Sequence, residues 1–143
     1  MMVPVMYLID TNVISETRKK HRANTGVQQF FNDAEKMQWT LYISVITLGE
    51  LQRGLEVIRH RGDDLQAQHL ASWLRVVVDE YAPFLLDFGA TEAQVWGALR
   101  VPHYESAIDK QIAATALVCD LTLVTRNTKD FAGTGVRLLN PFS

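Results

Sequence analysis

Met6-Tyr7-Leu8-Ile9-Asp10-Thr11-Asn12 sets a short apolar run directly against a polar triplet. Four apolar residues closed by Asp, Thr and Asn read as a buried strand that ends in a turn. A brief helix over Val13 to Arg18 is predicted to follow. Working outward, Leu41 to Ser44, Phe84 to Leu86, Leu121 to Thr125 and Val136 to Leu139 supply four more predicted strands.

Between these strands the apolar spacing changes to that of helices. Val27, Phe30, Phe31 and Ala34 mark one; Leu48, Leu51, Leu55 and Ile58 mark another, running from Val45 to Arg61-Gly62. Asp63-Asp64 can cap a third, with Leu70, Trp73, Leu74 and Val77 on its apolar face, which Pro83 stops. Thr91 to Leu99 predicts a helix with Val95, Ala98 and Leu99 inward. Past Pro102, Ser106 and Asp109 stand at capping-box spacing and open a helix to about Val118. Asn127 to Phe131 reads as a turn or short helix. Strands joined by helical crossovers return in the same direction, so the predicted fold is α/β, a three-layer α/β/α sandwich around a parallel five-stranded sheet. No linker, repeat or low-complexity stretch divides residues 1–143, which read as a single domain.

A chain of 143 residues with 48% hydrophobic and 21% charged residues has the balance of a soluble globular protein, which argues against disorder. Its one cysteine, Cys119, and four scattered histidines cannot build a disulfide framework or a Cys/His zinc cluster. That usage suits a reducing, cytoplasmic setting. The opening run Met1 to Ile9 has no basic flank or small-residue cleavage site and is too short to span a membrane, so it is read as part of the first strand. Fourteen Lys and Arg against sixteen Asp and Glu give a net charge of -2, weak evidence against a polyanion partner.

In an open parallel sheet, ligands bind beyond the carboxyl ends of the strands. Asp10 ends the first predicted strand, Asn127 and Asp130 follow the fourth, and Glu50 and Asp109 sit in early turns of helices that begin beyond strand ends. Each has a plainer role available. Asp109 could cap its helix by bonding back to Ser106, a contribution of about 1 kcal/mol. Glu50 could pair with Arg53 on an exposed face, worth tenths of a kcal/mol. Taken jointly they are expected to converge on one rim.

Acids gathered at one rim repel by roughly 4 kcal/mol per close pair at an effective dielectric near 20. Such a cluster needs protons or a cation. Oxygen donors without Cys or His select hard ions, and Mg²⁺, or Mn²⁺ in its place, takes one or two carboxylates while keeping its waters. An ion so held suits hydrolysis of a phosphate ester. Spacing alone does not separate a nuclease from a phosphatase, and no G-x-x-x-x-G-K loop points to nucleotide hydrolysis.

Leu8-Ile9-Asp10-Thr11-Asn12-Val13-Ile14-Ser15-Glu16, Ser44-Val45-Ile46-Thr47-Leu48-Gly49-Glu50-Leu51, and Ile108-Asp109-Lys110-Gln111-Ile112-Ala113-Ala114-Thr115-Ala116 continuing through Leu123-Val124-Thr125-Arg126-Asn127-Thr128-Lys129-Asp130-Phe131 together carry a resemblance. In that order, and with the closing Leu139-Asn140-Pro141-Phe142, the chain resembles the PIN-domain ribonucleases, specifically the VapC and FitB type toxins of bacterial toxin-antitoxin pairs. The resemblance implies a Mg²⁺-dependent endoribonuclease with Asp10 and Asp109 at the metal-ligand positions and Glu50 at the second acidic position. Some relatives carry Asp where this chain has Asn127. Asn127 is then expected to position water or substrate, and Asp130 to complete the negative cluster. Thr11 and Thr125 match polar positions beside the site, where a hydroxyl bonds a ligand carboxylate or a phosphate oxygen, unless it is an ordinary turn hydroxyl. An RNA substrate, a homodimer and a cognate antitoxin are implied as partners.

The basic run Arg18-Lys19-Lys20-His21-Arg22 could hold RNA phosphates, although a solvated loop is the expected reading. Trp39, Trp73 and Trp96 sit in apolar settings and are expected to pack rather than stack on bases. Two rival classes fit less well. A haloacid-dehalogenase-like phosphatase wants a second Asp where Asn12 stands. A non-catalytic receiver-like signalling module with an acidic metal pocket wants adjacent acids at the first strand end and a Lys after the last strand.

Overall fold

Alternation along β1 (Met6–Ile9) decides what lies on each face of the sheet. Leu8 is buried in one apolar cluster and its neighbour Ile9 in another, as are Leu123 and Val124 on the later strand that pairs beside it. Successive side chains of a strand point to opposite faces, so each face has its own core. The structure, a computed structural model, describes residues 5–143; Met1 to Pro4 of the opening run lie outside the described residues.

The remaining strands are β2 (Thr40–Ser44), β3 (Leu85–Leu86), β4 (Thr122–Val124) and β5 (Leu138–Leu139). All pair in parallel in the order β3-β2-β1-β4-β5. From β1 the chain fills one side of the sheet and then the other, so strand order reverses between β1 and β4. That reversal opens a crevice beyond their carboxyl ends.

The face bearing Ile9 is covered by α1 (Thr11–Glu16), α2 (Thr25–Met37), α3 (Val45–His60) and α4 (Asp64–Tyr81), through Val13, Val27, Leu51, Leu55, Leu70 and Leu74 among others. The face bearing Leu8 is covered by α6 (Ala107–Val118), through Ile112, Ala113 and Ala116, with α5 (Ala90–Leu99) reaching it through Leu99. The arrangement is the predicted three-layer sandwich. No helix among the described residues is long and apolar enough to cross a membrane.

Several elements differ from expectation for local physical reasons. α1 starts at Thr11 rather than Val13, because the Asp10 side chain accepts the Thr11 N–H and caps it. The basic run is a 3-10 segment over Thr17–Arg22, broken where Lys20 takes a positive φ of 54°. β4, β3 and β5 are each shorter than predicted, and residues 82–84 form a 3-10 turn instead of the start of β3. On α5, Val95 and Leu99 are half-buried but Ala98 is exposed, since this helix packs on α6 and leaves its outer face to solvent.

The closing residues lie across the start of α2. Asn24 caps that helix with its side-chain oxygen, which also accepts the Ser143 N–H at 3.0 Å. Gly26 is required beneath them, because a Cβ there would stand 2.2 Å from the Pro141 carbonyl oxygen.

Candidate active site

Asp10 ends β1 at the crevice and is only 3% exposed. One carboxylate oxygen accepts the Thr11 N–H at 2.8 Å; the other accepts the Thr125 hydroxyl at 2.8 Å and the Asn12 amide at 3.3 Å. Asn12 in turn accepts the Arg126 N–H at 3.1 Å, and Thr125 Oγ1 accepts the Asn127 N–H at 3.0 Å. The loops after β1 and β4 are thus stitched together around one buried acid. Burial pushes the Asp10 carboxyl above its ordinary range; the bonds from Thr125, Thr11 and Asn12 oppose that rise and the Glu50 charge adds to it.

Thr11 turns its hydroxyl towards Thr47 of α3 at 3.3 Å, one turn ahead of Glu50. Thr47 is fully buried, so this contact ties α3 to the start of α1. Glu50 itself is half-buried. Its expected partner Arg53 is exposed and forms no ion pair with it among the described residues.

Asp109 lies in the first turn of α6, half-buried above Ala113 and Ala116, both of which are completely buried. The expected capping role is corrected here: Ser106 adopts a left-handed φ of 57° and its side chain makes no cap bond. Asp109 is therefore not spent on helix capping. Burial first, then the charges of Asp10, Asp130 and Glu50, push its carboxyl up to about 6. Asp130, exposed in the 3-10 turn Thr128–Phe131, enters this field; Asn127 just before it is exposed and contributes its backbone.

Asp10, Glu50, Asp109 and Asp130 come from separate parts of the chain, and the charges of the other three all bear on Asp109. Among the described residues no three acids, His or Cys stand close enough to form a ready metal cage. An all-oxygen donor set of this kind suits a hard divalent cation that takes one or two carboxylates and keeps its waters.

The raised Asp109 has a measurable consequence. Folded, it keeps its proton up to about pH 6; unfolded, it releases it near 3.8. The stability attached to that proton is complete below the lower value and is lost as pH rises through about 6. Without metal, the Tm of Asp109→Asn is expected to gain on that of the wild type between about pH 4 and about pH 7. Thermal scans across this range check it, and a constant difference would refute the burial of that charge.

A cleft of about 880 Å³ lies elsewhere. Arg18, Lys20 and Arg22 line it opposite His69 and Trp73 of α4, while Lys19 is held by Glu16 at 3.0 Å. Trp39 packs on Tyr7 and Phe30, Trp73 packs on the first core, and Trp96 bonds the Ala107 carbonyl at 2.9 Å. Asn12 and Thr47 are the site residues that sequence reading missed. Asn12 follows the strand-ending Asp by two positions, and Thr47 is a polar residue in a buried helical turn.

An open parallel sheet with acids gathered at its switch point defines the class, and sequence and structure comparisons define the family. The PIN domain family model matches residues 7–136, and the chain belongs to that family. It is 32% identical to the plasmid stability protein StbB of Pseudomonas syringae pv. tomato, covering 96% of this chain and 99% of that protein. It is 30% identical to the VapC ribonuclease Y4jK of Sinorhizobium fredii, covering 96% and 98%. Among solved structures, FitAcB from Neisseria gonorrhoeae superposes with a TM-score of 0.73 at 28% identity, covering 95% of this chain and 98% of that one. A toxin-antitoxin complex from Klebsiella pneumoniae superposes with a TM-score of 0.64 at 27% identity, covering 96% and 98%.

Proposed function

We propose that this protein is a Mg²⁺-dependent endoribonuclease, with Mn²⁺ able to substitute, and the toxin of a toxin-antitoxin pair. The observation that carries the reading is the meeting of Asp10, Glu50, Asp109 and Asp130 at the switch point, where burial first and then the other three charges push the Asp109 carboxyl up to about 6. A relative named as a VapC ribonuclease and a similar toxin-antitoxin complex support it. Residues 1–143 act as one PIN domain, in the cytoplasm, as a homodimer that a cognate antitoxin restrains.

Asp10 and Asp109 would hold the metal ion. When bound, that ion supplies charge for a phosphoryl oxygen and an acidified water for in-line attack. Thr125 and Asn12 fix the Asp10 carboxylate in one orientation, through bonds of 2.8 and 3.3 Å. Glu50, without a partner of its own among the described residues, is free to accept a proton from water. Asp130 completes the negative rim, Asn127 orients water or substrate from its exposed amide, and Thr11 stands beside the approach; the expected substrate role of Thr125 is corrected, because its hydroxyl is fully buried and spent on the Asp10 carboxylate.

Purified protein is expected to cleave total RNA with Mg²⁺ or Mn²⁺ and to stop in chelator. Equal cleavage in chelator would refute the metal dependence. No cleavage of any RNA under these conditions would favour a binding module.

A further inference from the structure

Four carboxylates at one rim repel a polyanion, so an RNA strand that reaches them needs a cation beside the crevice. Arg53 and Lys129, beside Glu50 and Asp130, are exposed and make no ion pair among the described residues, while several other basic side chains of the chain are engaged. Lys110 is buried and donates to the His103 carbonyl, Lys19 is paired with Glu16, Arg137 is paired with Asp120, and Arg100 lies over Trp96. Arg126 differs. It directly follows Thr125, and its N–H is bonded to Asn12, so its backbone belongs to the network around Asp10.

Its guanidinium lies over the Phe142 ring at 4.8 Å and makes no ion pair or side-chain hydrogen bond among the described residues. Glu16, the acid within its field, is satisfied by the Asn24 N–H at 2.8 Å and by Lys19. The ring beneath is itself fixed. Phe142 donates its N–H to Asn140 at 3.0 Å and packs on the first core, while Ser143 is bonded in both directions to Asn24. A guanidinium held over a ring, with no hydrogen bond of its own, has donors free for two oxygens of a phosphate. Stacking also removes part of the entropy cost of ordering that side chain on binding.

We propose that Arg126, seated on Phe142, is a substrate-positioning residue that grips an RNA phosphate adjoining the one at the acidic rim. This rests on the nuclease reading for its purpose, but the contact itself is testable without cleavage. The probe is a short, fluorescein-labelled single-stranded RNA of mixed sequence, bound to the full chain carrying Asp10→Asn so that it is not consumed. Arg126→Ala is expected to weaken binding about tenfold and to reduce the slope of log Kd against log salt by about 0.7, the share of one phosphate contact. Arg126→Lys keeps the slope and binds more weakly than Arg. Phe142→Leu keeps the slope and loses about threefold, through the seat alone. In the cleaving protein, Arg126→Ala raises KM and leaves kcat within about twofold, the mark of uniform binding.

An unchanged salt slope in Arg126→Ala overturns the proposal, even if affinity falls, because a purely structural Arg126–Phe142 clasp would lower stability without removing a phosphate contact. If the wild type cleaves no RNA but the slope difference stands, the nuclease reading fails and the phosphate contact holds.

Discussion

Asp109→Asn and Asp10→Asn are each expected to cut RNA cleavage at least about a thousandfold, which is about 4 kcal/mol of barrier, and to leave the protein folded. Asparagine keeps the size of the side chain and removes the negative oxygen that a hard cation needs. At position 109 folding does not suffer, because the ionised carboxyl is already disfavoured by burial and by Asp10, Asp130 and Glu50. At position 10 the cap survives, since Asn and Asp cap equally well. The second oxygen becomes an amide facing Asn12, which costs about 1–2 kcal/mol. Cleavage assays beside circular dichroism separate the two effects. A folded variant that retains a tenth of wild-type activity would remove its residue from the metal site.

Phe131→Ala is expected to cost about 3–5 kcal/mol and to lower Tm by roughly 10 °C. Phe131 is only 1% exposed and heads the described side chains that are completely buried, closing the second core against Leu8, Ile112 and Leu123. It also anchors the 3-10 turn that carries Asp130. Its loss therefore opens a cavity directly under the acidic rim, and activity should fall at temperatures where the fold still holds. Chemical denaturation measures the first effect. A loss below about 1 kcal/mol would mean that the turn refills the space.

Apolar periodicity made the sheet and the large helices legible, because a two-residue or 3.6-residue repeat is written directly in residue type. Asp10 was legible for the same reason, as the first acid after an unambiguous strand. What could not be read were properties set by contacts distant in sequence. Asn12 and Thr47 look like turn and helix-start residues until β4 and α1 arrive beside them. The spacing of Ser106 and Asp109 fits a capping box, but spacing does not carry φ, and the left-handed Ser106 breaks the motif. Ala98 follows the helical period of its neighbours and is still exposed, because the period says which face is apolar and not whether anything covers it.

The hydroxyl that orients Asp10 belongs to Thr125, which lies 115 residues further along the chain. Two strands placed side by side in the sheet are thus made far apart in time. A ribosome-bound chain has its first acid exposed long before Asp109 or Asp130 exists, and β1 must wait for β4 to close over it. Parallel pairing at such separation is slow to form. The site is therefore tied to completion of the fold: a chain in which β4 has not yet docked beside β1 does not hold the Asp10 carboxylate in place.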